Sequence, residues 1–222
     1  MNERVVKNMV KNHESFHRVI KYKLTIMITV YNQEELIIRA LNSVPKRNDI
    51  EVLIINDCST DNTLNAVNEW INNNKEVYVR VINNEKNLGI GLTRNVGYDN
   101  AQGEYIHSLD SDDYLYTEEY NKVIDMLDGT DIVYINLQTN NGTIFNVDAN
   151  TQSFYCAGIA RFIRKEFLGT SRCPDIRACE DLYLNEEIQA RPHTDNFTGI
   201  IAYHYNHPRE GSLCDLVNKG QI

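Results

Sequence analysis

Glu104–Tyr–Ile–His–Ser–Leu–Asp–Ser–Asp–Asp113 is an apolar run that ends in three carboxylates, Asp110, Asp112 and Asp113. A strand that stops in an acidic turn presents hard oxygen donors at its carboxyl end. In an open α/β sheet, that end is where ligands bind. Mg2+ or Mn2+ held by one or two carboxylates keeps positions open for phosphate oxygens. The stretch therefore points to metal-assisted chemistry on a phosphorylated compound. A calcium loop would need an oxygen ligand at its fifth position and glycine at its sixth, where Tyr114 and Leu115 stand.

Working outward, the chain alternates between two periods. Leu24–Val30 reads as an apolar, β-branched strand and Glu34–Val44 as a helix stopped by Pro45. Asp49–Ile55 is a second strand, ending at Asn56–Asp57. Thr60–Asn72 is a helix with Leu64, Val67 and Ile71 on one face. Glu76–Ile82 is a third strand, Gly91–Ala101 a helix, and Glu104–Leu109 the fourth strand. This rhythm predicts an α/β fold with a mostly parallel central sheet flanked by helices. A helix over 118–128 and a strand over 131–137 follow. The remainder is less regular: a turn at Asn140–Thr143, helices at 157–168 and 181–189, and a short strand at 200–205. The expected organisation is an arm over residues 1–22, one domain over 23–215 with halves at 23–115 and 116–215, and a tail over 216–222.

Bulk properties narrow the classes. The chain has 222 residues and a formal net charge of −9, which argues against a nucleic-acid partner. No apolar run nears the roughly 20 residues of a membrane span, and the start is too polar for a secretory signal. Five cysteines without a CxxC pair read as reduced thiols, so the expected location is the cytoplasm. Residues 1–23 carry six basic side chains against Glu3 and Glu14. Val6, Met9, Val10, Phe16 and Ile20 recur there at helical spacing. An arm packed on the domain is the plain reading; a peripheral seat at the inner membrane face is the other.

Four further segments carry chemistry. In Asn56–Asp57–Cys–Ser–Thr–Asp61, a carboxylate ending a buried strand can accept a hydrogen bond from a ligand N–H, such as N3–H of uracil. Ser59 or Asp61 could equally cap the next helix. Asn87–Leu–Gly89–Ile–Gly91–Leu–Thr–Arg94–Asn–Val–Gly97 lets backbone approach a ligand, and Arg94 could meet a phosphate. It lacks the third glycine of a dinucleotide fingerprint, and no P-loop is present. Glu180–Asp181 opens a helix, either as dipole stabilisation or as a general base. Tyr203–His–Tyr–Asn–His207–Pro–Arg209–Glu–Gly–Ser212 gathers imidazoles, a guanidinium and a hydroxyl.

Taken in order, these segments resemble the family 2 glycosyltransferases of the GT-A fold. Thr29–Val–Tyr31–Asn32 resembles the family's "P-T-Y-N", and Asn56–Asp61 resembles "D-D-G-S-T-D". Asn87–Leu–Gly89 and Thr93–Gly97 resemble "N-x-G" and "A-R-N-x-G". Ala101–Ile106 with Leu109–Asp113 resembles "A-x-G-E-Y-I…L-D-S-D-D". The resemblance implies that Thr29, Tyr31 and Asp57 hold the nucleobase and that Arg94 lies along the nucleotide. It makes Asp110–Ser111–Asp112 the DXD motif, with Asp110 near the ribose and Asp112 on a Mn2+ or Mg2+ ion that bridges the diphosphate. Glu180–Asp181 matches the late "E-D" pair, whose Asp is the base. The chain departs from the pattern at Asn56, at Cys58 in place of glycine, and at Asn206 where arginine is common. Arg209 and Ser212 are the substitutes expected for the diphosphate clamp, and His207 is a further candidate metal ligand.

The implied activity is inverting transfer of a sugar from a nucleotide-diphosphate donor, a UDP-sugar, to an acceptor hydroxyl. The acceptor classes left open are a glycan, a teichoic-acid-like polymer, a protein or a modified base; self-association is also open. Nucleotidyl transfer is the alternative enzyme class, but it usually carries a glycine-rich basic loop after the first strand, unlike Tyr31–Glu35. A non-catalytic sugar-nucleotide-binding module is the alternative outside enzymes.

Overall fold

A computed structural model describes residues 22–151, 158–176, 178–212, 215–216 and 219–220. The expected arm and part of the tail lie outside these residues. The elements are β1 (Tyr22–Val30), α1 (Ile37–Asn42), β2 (Ile50–Asn56), α2 (Thr63–Asn73), β3 (Val79–Asn83), α3 (Ile90–Asn100) and β4 (Gly103–Ser108). They continue as β5 (Tyr114–Leu115), α4 (Thr117–Asp125), β6 (Ile132–Thr139), β7 (Ile144–Phe145), β8 (Arg161–Arg164), α5 (Lys165–Leu168), α6 (Glu180–Gln189) and β9 (Asp195–Tyr205). Strand β1 begins one residue inside the expected arm.

One sheet runs in the order β3-β2-β1-β4-β8-β6-β9-β5, with β7 on β6. Strands β3, β2, β1 and β4 are all parallel. Strand β8 is antiparallel to both β4 and β6, so β6 regains the direction of β4, and β9 follows β6. Every residue of β2 is buried, as expected of a central parallel strand covered on both faces. Each of its Ile, Leu and Val side chains gains about 1.5–3 kcal/mol on burial. The core continues through Tyr105, Tyr120, Tyr134, Phe162 and Tyr203.

The sequence misplaces structure in the second half. The helix expected over 157–168 is instead strand β8 followed by the single turn α5. The Arg161–Phe–Ile–Arg164 segment has an apolar pair between two arginines, a pattern that reads as helix until Phe162 and Ile163 are needed to close the gap between β4 and β6. Pairing His107↔Phe162 and Val133↔Phe162 fills that gap. Strand β9 also begins earlier than expected, at Asp195.

Candidate active site

The carboxyl ends of β1, β2 and β4 lie side by side. Val30 pairs with Asn56, and Leu109 N–H donates to Met27 O at 2.9 Å. The loops after β1 and β2 are knit together. Asn32 Oδ1 accepts Thr60 N–H at 2.8 Å, Ser59 Oγ accepts Asn32 N–H at 3.0 Å, and Thr63 Oγ1 accepts Gln33 N–H at 2.8 Å. Two non-glycine residues here adopt left-handed backbone, Asn32 at φ 51° and Cys58 at φ 62°. The glycine in the family's motif at position 58 thus has a conformational cause.

Asp57 is buried, and it organises the glycine-containing loop. Oδ1 accepts Asn84 Nδ2 at 2.8 Å and Leu88 N–H at 2.8 Å; Oδ2 accepts Gly89 N–H at 3.0 Å. A carboxylate offers about four acceptor sites, so one remains for a ligand donor. Thr29 is buried on β1, while the Tyr31 ring is 45% exposed beside it in sequence, free to cover a flat ligand.

Arg94 on α3 joins both halves. Its guanidinium donates to Glu180 Oε1 and to Asp110 Oδ1, the latter at 3.0 Å. Only 6% of its side chain is exposed. Burial pulls its pKa down, but the charges of Asp110, Glu180 and Asp181 outweigh this and raise it. Burial raises Glu180 and Asp110 in turn, opposed by Arg94. The Arg94 pair brings Glu180–Asp181 against the acidic turn, and Gly158 N–H donates to Asp181 Oδ2 at 3.2 Å. Gly91 allows this approach: a Cβ there would stand 2.8 Å from Pro174 O and 3.1 Å from Glu180 Cγ. Asn95 pins the preceding loop by a reciprocal pair with the Cys173 backbone, both bonds 2.8 Å. Cys179, at φ 64°, turns the chain into α6.

The acidic turn divides its labour. Asp112 faces Arg209 at 2.8 Å and keeps partial exposure, and Arg39 donates to its carbonyl. Asp113 is buried: Tyr203 Oη donates to Oδ2 at 2.6 Å and Asn206 N–H to Oδ1 at 2.7 Å. Burial and the neighbouring Asp110 and Asp112 charges hold Asp113 well above the ordinary carboxylate range. Ser111 is buried within the turn. Ser212 Oγ accepts Asp215 N–H at 3.2 Å, ordering the segment that carries Arg209. His207 stacks on Tyr205, with ring centroids 5.1 Å apart.

Among the described residues, no three His, Cys, Asp or Glu side chains converge to hold a cation on their own. His207 therefore does not join Asp110 and Asp112 in a three-ligand cage. Asp112, half-open and with hard oxygens, fits a cation that takes most of its ligands from a diphosphate.

Residues 25–180 match the family model described as glycosyl transferase family 2. The chain belongs to glycosyltransferase family 2. Poly(ribitol-phosphate) beta-N-acetylglucosaminyltransferase TarS of Staphylococcus aureus is 27% identical over 210 residues, covering 85% of this chain and 36% of TarS. Poly(ribitol-phosphate) beta-glucosyltransferase of Bacillus spizizenii is 38% identical over 104 residues, covering 43% of this chain and 16% of that enzyme. The match of this family 2 chain thus spans little more than a third of TarS and about a sixth of the Bacillus enzyme. The crystal structure of S. aureus TarS 1–349 in complex with UDP-GlcNAc superposes with a TM-score of 0.72 at 24% identity, covering 86% of this chain and 60% of that one. Mannosyltransferase PcManGT from Pyrobaculum calidifontis, in complex with GDP-Man and Mn2+, gives 0.70 at 14% identity, with 98% and 68% covered. These likenesses carry the GT-A fold.

Sequence reading missed several residues that build this family 2 site. Asn84 bridges Asp57 and Thr93. It follows an apolar strand as Asn56–Asp57 does, and that parallel could have found it. Arg39, Gly158 and the Tyr203 hydroxyl act across long sequence separations and leave no local signal. No helix among the described residues is long and apolar enough to cross a membrane.

Proposed function

We propose that this chain transfers a sugar from a UDP-linked donor to a hydroxyl of a polyol-phosphate polymer, with inversion at C1 and with a divalent cation. The observation that carries the reading is the Arg94 junction, which seats Glu180–Asp181 against the Asp110–Asp112 turn. Nucleotide side and acceptor side then face one gap, as a direct displacement needs. The UDP-sugar and the polymer are suggested by the poly(ribitol-phosphate) transferases and the UDP-GlcNAc complex of TarS.

In this mechanism, Asp57 accepts the uracil N3–H and Tyr31 covers the base. Asp110 faces the ribose. Asp112, with Asp110 beside it, would hold Mn2+ or Mg2+; when bound, the cation neutralises charge growing on the diphosphate leaving group. Asp181, oriented through Oδ2 by Gly158 N–H, takes the proton of the acceptor hydroxyl through its other oxygen. That hydroxyl oxygen bonds to C1 as the C1–O bond to the diphosphate breaks on the opposite face. Arg209 and Ser212 approach the diphosphate from the C-terminal segment. Glu180 is engaged by Arg94, so it serves to hold the helix start rather than to move a proton.

The test is UDP release from UDP-GlcNAc and UDP-glucose with Mn2+, with and without poly(ribitol-phosphate). Polymer-stimulated UDP release is expected. No release and no UDP binding at any metal concentration would overturn the proposal.

A further inference from the structure

The end of β9 meets the acidic turn through one side chain. Tyr203 is fully buried on β9, and its ring lies edge-on to His107, with centroids 5.9 Å apart. Its hydroxyl makes two bonds of opposite sense. It donates to Asp113 Oδ2 at 2.6 Å and accepts Asp110 N–H at 3.1 Å. Asp113 Oδ1 also accepts Asn206 N–H at 2.7 Å, and Asp113 N–H closes the turn onto Asp110 O at 3.0 Å. Three residues beyond Asn206, Arg209 reaches Asp112 at 2.8 Å. Asp110 and Asp113, which bracket Ser111–Asp112 in the acidic turn, and the segment that carries Arg209, therefore hang on one buried hydroxyl and one buried carboxylate.

We propose that Tyr203 is a positioning residue that fixes the Asp110–Asp112 turn and the 206–212 segment at one mutual distance, and so sets metal and donor affinity. The inference rests on the reading of that turn as the donor site. Its physical basis is rigidity. The phenol ring is locked in the core, so its oxygen is a fixed point. The Asp110 amide and the Asp113 carboxylate are both referred to that point. Without the hydroxyl, a part-buried amide and a buried carboxylate oxygen each lose a partner. The turn must then move to find others, and Asp112 moves with it. Groups that orient a metal-binding residue typically change metal affinity or activity by about 10-fold to 100-fold when removed.

A suitable control lies near the start of β4. Tyr105 is equally buried, and its hydroxyl also donates once and accepts once, to Thr130 O at 2.7 Å and from Gly129 N–H at 2.8 Å. Tyr105→Phe therefore also deletes a hydroxyl that donates once and accepts once, without touching the turn. Three measurements are made on the full chain, its Tyr203→Phe variant and its Tyr105→Phe variant. They are Mn2+-dependent UDP binding by calorimetry, donor and acceptor KM, and the midpoint of thermal unfolding. Tyr203→Phe should weaken Mn2+-dependent UDP binding about 10-fold or more and raise donor KM in step, with acceptor KM unchanged. Tyr105→Phe should lower the unfolding midpoint and leave UDP binding alone. Equal losses of UDP affinity in both variants, or no loss in Tyr203→Phe, would overturn the positioning role. Failure of the unsubstituted protein to bind UDP with Mn2+ would instead overturn the reading of the turn, and this inference with it.

Discussion

The two halves of the sheet build the candidate site by different means. From β1 to β4, the residues proposed to face the donor sit at the carboxyl ends of parallel strands, and neighbouring strand ends hold each loop. Asp57, Asn32 and Asn84 make their bonds within this half. From β5 to β9 the strands change direction, and single side chains tie this half to the first. Arg94 holds Glu180, Asn95 holds Cys173, and Tyr203 holds Asp113. The donor-binding groups proposed in the first half are thus built into the topology, whereas the base proposed in the second half hangs on a few long-range bonds. Substitutions across the seam should be the costly ones.

The sharpest break in that comparison is Asp181→Asn. If α6 contributes only the base, transfer should fall about 10²-fold to 10⁴-fold, while UDP affinity, to which the proposal gives Asp181 no contact, stays within about twofold. Steady-state rates beside calorimetric UDP binding measure both. Transfer that survives would remove the base from Asp181; lost UDP binding would mean that the halves are not separable.

Arg94→Met attacks the seam itself. Glu180 would be left buried beside Asp110 with no cation, a loss of about 3–5 kcal/mol for removing one partner of a buried pair, reduced where Asp110 keeps some exposure. Urea unfolding at pH 7 checks it. The deficit should shrink at lower pH. Burial already raises Glu180 and Asp110, and without Arg94 their folded-state pKa rises further above the unfolded value. Protonation on acidification then removes the repulsion. A loss under about 1 kcal/mol would show that the junction does not hold the halves together.

How much of this was legible follows the same division. The motifs at Asn56–Asp61, Asn87–Gly97 and Leu109–Asp113 were readable because parallel-strand ends carry their functional residues contiguously. The central strands announced themselves as unbroken apolar runs. Strand β8 was not readable, because Arg161–Phe–Ile–Arg164 is too short to show a period and takes its form from the gap between β4 and β6. The Arg94–Glu180 and Tyr203–Asp113 bonds span 86 and 90 positions, so no spacing rule reaches them. Arg94 was expected along the nucleotide, and its carboxylate partners come from the fold alone.

His107 probes the seam by pH. Its Nδ1 meets Tyr120 Oη at 2.8 Å, Nε2 meets Ile159 O at 2.8 Å, and its ring stacks on Phe162. Burial lowers its pKa to about 4. Because the unfolded chain takes the proton first, this stability is complete above about pH 6.5 and drains as pH falls towards 4. The buried carboxylates Asp110, Asp113 and Glu180 titrate with the opposite sign, so a comparison isolates the imidazole. Between pH 7 and pH 5, His107→Gln should lose about 2 kcal/mol less than the unsubstituted chain in urea unfolding. Parallel curves would mean that the ring is not held neutral in the seam.

The smallest effect tests whether the first half carries its own strain. Cys58 holds φ 62° just after Asp57, a region that costs a side chain about 1–2 kcal/mol. Glycine would remove that cost but lose about 0.5–1 kcal/mol in chain entropy on folding. Cys58→Gly should therefore stabilise by at most about 1.5 kcal/mol, read as a small upward shift in the unfolding midpoint, with UDP affinity unchanged because the Asp57 bonds to Asn84, Leu88 and Gly89 do not involve the thiol. A drop in stability would show that the thiol contributes packing that offsets the strained backbone. A drop in UDP affinity alone would show that the half that looks self-contained depends on residue 58 to aim its nucleobase carboxylate, and the division between the halves would then be one of degree.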